Sequence, residues 1–304
     1  MKININGIIP YPQPDPYIYK EKDYYYIITS GVEGVYCYKS KFVDKDYEFV
    51  DIIFKMDGYK EYWAPSVIKI RDVFYMYVSC MKSEENDVHT QTMMVATSPN
   101  PDGPYKIANN HLIDPFSIDS HPVMNKSGLY LFYSLNDYES DKAGTRIVVD
   151  KMVDPLHMVG KPVVKVYPSI KQEIFAKDRF KKGQDWYTIE GACYFRKGDY
   201  HYLLYSANCY QSPYYFINYA VCKSKEDDLT KLDFKKYPSD DVYKPLLCEN
   251  ECETSTGHNS VIEVDGQMYI IYHGRNKDEK DFIGETRTMR IRKLLIDKEK
   301  LTVQ

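Results

Sequence analysis

The sequence predicts an all-β chain built from five similar units. A short strand pattern rich in aromatic residues occurs five times, and each copy follows a turn that contains Gly, Asp or Lys. The five copies are residues 24–30, 74–79, 129–134, 201–206 and 268–273. Repeated units of several short strands joined by polar turns are typical of propeller blades, so we expect a five-bladed β-propeller.

A second strand pattern follows each copy and supports this fold. These second strands are residues 34–40, 93–98, 145–150, 218–224 and 288–294. Segments rich in Pro, Asn and Gly, such as 99–104, then end the strand and reverse the chain. Apolar residues at helical spacing are sparse, and no low-complexity linker interrupts the repeat. We therefore expect one domain over residues 1–304.

Composition excludes several classes of function. The net charge of −4 gives no electrostatic basis for binding nucleic acid or an anionic membrane. No apolar run is long enough to span a bilayer, and residues 1–12 carry no secretion signal, so we expect a cytoplasmic protein. The odd number of cysteines, seven, indicates free thiols. Cys248 and Cys252 lack the second Cys or His pair that a zinc site needs.

The last residue of each strand copy gives a reference point for comparing the units. Counting back 15 or 16 positions from Ser30, Ser79, Ser134, Ser206 and His273 leads to Asp15, Trp63, Asp119, Glu190 and His258. Any one of these could be an ordinary turn residue at the start of a strand. Matching positions of propeller blades surround the axis, so together they predict a ring of three carboxylates, one His and one Trp.

Such a ring favours glycoside hydrolysis. Carboxylates that face each other in a confined site repel, which raises the pKa of at least one of them. Glycoside hydrolysis needs a carboxyl group that stays protonated near neutral pH and a second, ionised carboxylate across the sugar. The 31 tyrosines also suit sugar binding, because a tyrosine ring offers a flat apolar face and a hydroxyl group.

The motifs around these residues resemble those of glycoside hydrolase family 43, the five-bladed propeller arabinanases, arabinofuranosidases and xylosidases. The matching segments are Asp15-Pro16-Tyr17-Ile18, Trp63-Ala64-Pro65, Ile118-Asp119, Glu190-Gly191, Gly257-His258, Tyr272-His273-Gly274 and Arg287. The resemblance covers the whole chain. Two departures are Ala192 in place of the usual Pro after Glu190-Gly191, and Val123 in place of a Phe four residues after Asp119.

The resemblance implies a role for each residue. Asp15 would be the general base that activates water, and Glu190 would be the general acid. Asp119 would orient the acid and raise its pKa. The residues expected to bind substrate are Trp63, His258 and Arg287. No cofactor is required by this chemistry. A structural calcium at the propeller centre beside His258 would have to be held largely through waters, because calcium prefers oxygen ligands.

The resemblance also implies an inverting hydrolase that acts on an oligosaccharide. Xylosidases of this family typically carry a C-terminal β-sandwich, whereas this chain ends after the fifth unit. We therefore expect an exo-acting α-L-arabinofuranosidase working on arabino-oligosaccharides. The alternatives within the family are a β-D-xylosidase or an endo-arabinanase, and the alternative of another class is a non-catalytic propeller that binds sugars. A fructosidase is disfavoured because its Asn-Asp-Pro-Asn and Arg-Asp-Pro motifs are missing.

Two further segments have open interpretations. Residues 177–185 form a charged stretch that is either a solvated excursion or a rim loop of the substrate cleft. Residues 210–216 hold three tyrosines and a phenylalanine beside a proline, which predicts either a sugar platform or ordinary surface packing.

Overall fold

The computed structural model of the protein describes residues 1–7, 10–114, 116–279 and 284–304. The strands in these residues form five sheets that follow one another along the chain. The only helices within the described ranges are single 3-10 turns at Val88–Thr90, Lys171–Glu173, Leu229–Lys231 and Lys277–Glu279. The all-β prediction is confirmed.

The sheets are numbered in chain order. Sheet 1 contains β1 (Ile5–Asn6), β2 (Tyr17–Glu21), β3 (Tyr24–Thr29), β4 (Val35–Ser40) and β5 (Tyr47–Phe54). Sheet 2 contains β6 (Tyr59–Ile70), β7 (Val73–Lys82), β8 (Thr92–Ser98) and β9 (Lys106–Ile113). Sheet 3 contains β10 (Ile118–Asn125), β11 (Gly128–Asp137), β12 (Gly144–Asp154), β13 (His157–Met158), β14 (Val163–Val166), β15 (Ile174–Lys181) and β16 (Gln184–Tyr187). Sheet 4 contains β17 (Ile189–Lys197), β18 (Tyr200–Ala207), β19 (Phe216–Lys223) and β20 (Lys235–Lys236). Sheet 5 contains β21 (Glu253–Val264), β22 (Gln267–Asn276), β23 (Thr288–Asp297) and β24 (Lys300–Val303).

The predicted repeat corresponds to two neighbouring strands of each sheet. The five aromatic-rich copies are β3, β7, β11, β18 and β22, and the second patterns are β4, β8, β12, β19 and β23. Each pair is antiparallel, and in each sheet an antiparallel strand precedes the aromatic-rich one. These preceding strands, β2, β6, β10, β17 and β21, carry or follow the motifs identified above.

The sheets have a propeller-like arrangement. The preceding strands of consecutive sheets contact one another in the pairs β2 and β6, β6 and β10, β10 and β17, and β17 and β21. Strand β21 also contacts β2, which closes the ring between sheets 5 and 1. At the same junction, Ile3 N–H donates to the carbonyl of Met289 (3.0 Å) and Ile291 N–H to that of Met1 (2.8 Å).

The hydrophobic core lies between the sheets. Its buried residues form clusters at the junctions of sheets 1 and 2, 2 and 3, 3 and 4, 4 and 5, and 5 and 1. Many of their members are buried tyrosines, such as Tyr77 and Tyr130. This explains the high tyrosine content, because most tyrosine rings pack as apolar groups between the sheets.

The sheets are not five copies of one blade. Sheet 1 gains β1 as a parallel neighbour of β5. Sheet 3 gains the hairpin β15–β16 from residues in the segment interpreted as a charged loop. Gly183 adopts a left-handed φ of 84°, which lets Lys181 pair with Gln184 across a tight turn. The turn signal was present in the sequence, but the charges around it favoured a loop.

Two predictions from composition concern the whole chain. All seven cysteines are free, and three of them are buried. In the part of the chain that the structure describes, no helix is both long and apolar enough to cross a membrane.

Candidate active site

Five residues with left-handed backbone lie at equivalent places near the starts of the innermost strands. They are Asp15 (φ 53°), Ala64 (φ 44°), Asp119 (φ 61°), Gly191 (φ 66°) and His258 (φ 43°). Each stands 15 positions before the last residue of the strand copy in its sheet. Trp63 and Glu190 come one residue earlier and pair with Ser79 and Ser206 across the sheet. The five predicted residues therefore occupy two adjacent positions of the repeat, which explains the two spacings.

The left-handed conformation turns backbone N–H groups toward the neighbouring sheet. Three of these groups bond the strand-end side chain of the preceding sheet, from Asp15 to His273 Nδ1 (3.1 Å), from Ala64 to Ser30 Oγ (2.7 Å) and from His258 to Ser206 Oγ (2.7 Å). Gly191 N–H donates instead to Asp119 Oδ2 (2.9 Å). The polar residues that end three of the strand copies, Ser30, Ser206 and His273, thus fasten one sheet to the next around the site.

The predicted residues meet in one cavity of about 270 Å³. Its lining includes all six predicted site residues, namely Asp15, Trp63, Asp119, Glu190, His258 and Arg287. Apolar groups such as Pro12, Val32 and Ile118 share the wall with them. A small, largely apolar cavity with a few convergent charged groups is typical of a binding site for a small ligand.

Asp15 is held as a carboxylate. Its Oδ2 accepts a hydrogen bond from Ser30 Oγ (2.6 Å) and its Oδ1 accepts one from Arg287 Nη1 (3.2 Å). His258 Nδ1 lies 3.5 Å from the same Oδ1. Burial opposes ionisation, but Arg287, with a smaller contribution from His258, outweighs it and holds the pKa of Asp15 far below its usual value. Asp15 is therefore ionised throughout the neutral range.

Glu190 has the opposite protonation behaviour. Burial, together with the negative charge of Asp119, raises the pKa of Glu190 from 4.5 to about 8. Burial also raises the pKa of Asp119, although His258, whose Nδ1 lies 3.9 Å from Asp119 Oδ2, opposes that rise. At neutral pH the cavity thus contains one carboxylate that is ionised and one carboxylic acid that keeps its proton.

Arg287 is fixed on three sides. Its Nε donates to both carboxylate oxygens of Glu285 (2.9 Å each), and its Nη1 donates to Asp15. Its guanidinium carbon lies 4.7 Å from the ring centroid of Tyr210. Glu285 and Tyr210 therefore set the direction in which Arg287 faces the cavity.

Trp63 and His258 complete the lining of the cavity. The Trp63 indole N–H donates to Glu61 Oε2 (3.0 Å), which fixes the ring at the cavity edge. In the described ranges, no group of three or more His, Cys, Asp and Glu side chains could hold a metal ion. The donors near His258 therefore do not fit a calcium bound directly by side chains.

The hairpin β15–β16 lies on the Glu190 side of the site. Strand β16 ends at Tyr187, three residues before Glu190, and the charges of Arg179 and Glu190 interact. The Phe180 ring packs near Tyr138, Trp186 and His89, with centroid distances of 5.9, 5.1 and 5.8 Å. Phe180 and Tyr138 remain 52% and 47% exposed, so they present aromatic surface to solvent near the hairpin. This placement favours the rim interpretation of the segment.

Several functional candidates were missed from the sequence. They are Ser30, Glu61, Tyr210, Tyr215, His273 and Glu285, all of which contact a predicted residue. Residues 210–216 were expected to be either a sugar platform or ordinary surface packing; Tyr215 is buried and donates its O–H to Glu190, while Tyr214 is exposed. The available signal for Ser30 and His273 was their position at the ends of the strand copies.

Comparisons with known proteins agree with this geometry. The family model described as glycosyl hydrolases family 43 matches residues 5–300. A solved structure of a thermostable family-43 glycoside hydrolase is 27% identical, with a TM-score of 0.80, over 96% of this chain and 92% of that one. A search of curated proteins gives no match.

Two more distant structures share the fold. An endo-1,4-beta-xylanase from Bacteroides thetaiotaomicron is 23% identical, with a TM-score of 0.77, over 96% of this chain and 94% of that one. An alpha-L-arabinofuranosidase from Lactobacillus brevis is 20% identical, also with a TM-score of 0.77, over 96% of this chain and 93% of that one. Because the family model spans nearly the whole sequence, the chain belongs to glycosyl hydrolases family 43 and is a glycoside hydrolase.

Proposed function

We propose that the protein is an inverting, exo-acting α-L-arabinofuranosidase that releases single sugars from arabino-oligosaccharides. One observation carries the catalytic part of this proposal, the opposite protonation of Asp15 and Glu190 in one cavity. An inverting hydrolase needs this combination, because one group must take a proton from water while the other gives a proton to the leaving oxygen.

In the proposed mechanism, Asp15 is the general base and Glu190 is the general acid. The Asp15 carboxylate accepts a proton from a water molecule as that water attacks the anomeric carbon. In the same displacement, the Glu190 carboxylic acid donates its proton to the departing glycosidic oxygen, and the bond between that oxygen and the anomeric carbon breaks. The Asp119 charge raises the pKa of Glu190 so that the acid still carries its proton at neutral pH.

The substrate-binding residues surround this reaction. The Trp63 ring offers an apolar face to the sugar, while Arg287 and His258 offer hydrogen-bond donors to its hydroxyl groups. The cavity is at the small end of the range for ligand sites, which supports enclosure of one terminal sugar and therefore exo action. We assign the exposed aromatic surface of Phe180 and Tyr138 to the next sugar on the leaving side.

The proposal includes the organisation of the fold. We assign one blade to each of the five sheets, and one catalytic domain to residues 1–304. The assignment is supported by the closed series of contacts between neighbouring innermost strands and by a core cluster at each junction between sheets. Five blades account for the catalytic residues lying on three different sheets around one axis.

The proposed activity is tested with a small panel of substrates. Wild type, Asp15→Asn and Glu190→Gln are assayed on aryl α-L-arabinofuranosides, aryl β-D-xylosides and arabino-oligosaccharides. Loss of an acid or base should lower kcat by about 10²- to 10⁴-fold. Glu190→Gln should retain more activity on a dinitrophenyl glycoside than on an oligosaccharide, because a good leaving group needs little protonation. Glu263→Gln, which removes an exposed charge paired with Lys197 at 2.8 Å, is the control and should leave activity unchanged.

The outcomes separate the alternatives. Preference for xylosides would assign a β-D-xylosidase, and internal cleavage of linear arabinan would assign an endo-arabinanase. Full activity of both variants would remove Asp15 and Glu190 from the mechanism. Sugar binding without hydrolysis would assign a non-catalytic binding propeller. Proton NMR of the first-formed product distinguishes inversion from retention of the anomeric configuration.

Two further expectations stay proposals. A calcium held through waters beside His258 would be detected by metal analysis of the purified protein. Cytoplasmic location would be tested by fractionating the cells that produce it.

A further inference from the structure

Tyr215 contacts the proposed general acid and also lines the cavity. Its side chain is 1% exposed, and its O–H donates to Glu190 Oε1 at 2.7 Å. The Tyr215 ring also lies parallel to the His273 imidazole, with an interplanar angle of 9° and centroids 5.7 Å apart. One buried side chain therefore touches both the acid and a histidine from another sheet.

His273 contacts the proposed general base. Asp15 N–H donates to His273 Nδ1 at 3.1 Å, and the same Nδ1 lies 3.2 Å from Asp15 Oδ1. Because Nδ1 accepts a hydrogen bond from a backbone N–H, the imidazole is neutral, and burial lowers its pKa to about 4. At neutral pH, His273 thus acts on Asp15 through position rather than through charge.

The surrounding chain locks Tyr215 in place. A Cβ added at Gly257 would lie 1.7 Å from Tyr215 Cε1, so only glycine admits the ring there. Gly257 pairs with His273 across sheet 5. The loop before Tyr215 is fastened to β21, because Ser255 N–H donates to the carbonyl of Pro213 (3.2 Å) and Ser255 Oγ to that of Ser212 (2.9 Å).

We infer that Tyr215 and His273 are positioning residues that form a continuous link from Glu190 to Asp15 and set the placement of the acid relative to the base. The inference rests on the proposed function, since it assigns the reason why these two buried side chains meet. The hydroxyl of Tyr215 holds the acid, the imidazole holds the backbone of the base, and the contact between the two rings joins them. Neither residue needs to exchange a proton.

The expected pH effect follows from the groups that face Glu190. Besides Tyr215, the groups acting on Glu190 or adjoining it are Asp119, Asp15, Arg287, Arg179, Cys209 and His258. Burial and the two aspartates raise the pKa of Glu190, whereas Tyr215 lowers it, because its hydrogen bond favours the ionised carboxylate. Loss of the Tyr215 hydroxyl should therefore raise the pKa of Glu190 further.

The first test is Tyr215→Phe, which keeps the ring and removes the hydroxyl. The alkaline limb of kcat/KM should move to higher pH by about one unit, the equivalent of one charge-assisted hydrogen bond. At pH 6, kcat should fall about tenfold with KM nearly unchanged, because the acid loses its placement rather than the substrate its contacts. Tyr47→Phe is the control, since Tyr47 is equally buried and donates to Val43 O (3.2 Å) in the outer strand β5. This control should leave both the limb and kcat unchanged.

The second test is His273→Asn, which keeps a hydrogen-bond acceptor for Asp15 but removes the ring that packs on Tyr215. Although His273 does not touch Glu190, the alkaline limb should again move upward, by less than in Tyr215→Phe. In the double variant, the shift should be close to that of Tyr215→Phe alone, because asparagine keeps an acceptor for Asp15 and the remaining effect of His273 on the acid passes through Tyr215.

The results separate this inference from the proposed function. No hydrolysis of any glycoside by wild type would overturn the proposed function. If wild type is active but the alkaline limb of kcat/KM does not move in Tyr215→Phe, the inference alone is overturned. A rise in KM of Tyr215→Phe without a fall in its kcat would also overturn it. Additive shifts in the double variant would also overturn the link between the two residues. Each comparison uses only variants that circular dichroism shows to be folded.

Discussion

Replacing Glu190 by glutamine should remove activity and at the same time stabilise the fold at alkaline pH. The folded protein holds the pKa of Glu190 at about 8, against 4.5 for an unperturbed glutamate. At about 1.36 kcal/mol per pKa unit, ionising this carboxyl group in the folded protein costs roughly 5 kcal/mol more than in the unfolded chain. The proposed mechanism thus requires a group that the fold accommodates well only while it is protonated.

The sign of the effect follows from proton linkage. Because the folded pKa is raised, the favourable contribution of protonated Glu190 is complete below pH 4.5 and is lost as pH rises through 8. Glutamine cannot ionise. Relative to wild type, Glu190→Gln should gain little stability at pH 5 and most at pH 9. Relaxation and water entry reduce the roughly 5 kcal/mol limit, so a gain of about 1–3 kcal/mol at pH 9 is expected.

The assay is urea unfolding at pH 5 and pH 9, followed by circular dichroism. Glu253→Gln is the matched control, because Glu253 is also buried but pairs with Arg290 (3.2 Å) and Arg292 (2.7 Å). These partners outweigh burial and lower the pKa of Glu253. The same substitution there should destabilise the protein by about 3–5 kcal/mol at both pH values. Equal stability of Glu190→Gln and wild type at pH 9, or an equal gain at pH 5, would refute the reasoning.

Three further predictions concern the charge of Asp119, the aromatic side chain of Phe180 and a bound metal. Asp119→Asn removes a negative charge that raises the pKa of Glu190, so the alkaline limb of kcat/KM should move to lower pH; an upward shift would contradict that role. Phe180→Ala should raise KM for an arabino-oligosaccharide about 2- to 10-fold through loss of an aromatic contact, while its KM for an aryl glycoside stays near the wild-type value. The control Phe42→Ala removes another exposed ring and should leave both KM values near wild type. Dialysis against EDTA should leave kcat unchanged, because side chains carry both proton transfers; lost activity restored by calcium would show that a metal is required.

The sequence was most informative where one pattern repeats. The strand copies predicted both the strands and the region of the site, because the last residue of each copy stands 15 positions after one of the five left-handed residues. Counting back from these residues nevertheless gave two spacings, 15 and 16 positions. The alternating pattern of a strand does not reveal which residue has a left-handed backbone, so the sequence could not show which spacing marks the equivalent position. Ala64 carries no functional signal of its own, so only its φ of 44° identifies it as the equivalent of Asp15.

The residues that sequence analysis missed act through contacts between distant parts of the chain. Tyr215 and Glu190 are 25 positions apart, and His273 and Asp15 are 258 positions apart. No periodicity connects such pairs. Tyr215 was also hidden by its neighbours, because a run of aromatic residues beside a proline suggests a surface platform equally well. In β15–β16 the local turn chemistry prevailed over the charge pattern, because a single glycine forms a hairpin among charged residues.

The left-handed residues have a consequence for how this site could change. The backbone conformation repeats at five places, while the side chains there range from none at Gly191 to a carboxylate at Asp15. Chain geometry and chemical identity are thus specified separately, by different residues. A carboxyl group could be moved to another of these places by point substitution, without rebuilding a loop. Ala64 is the most direct choice, since its backbone already matches that of Asp15 and its N–H already bonds Ser30.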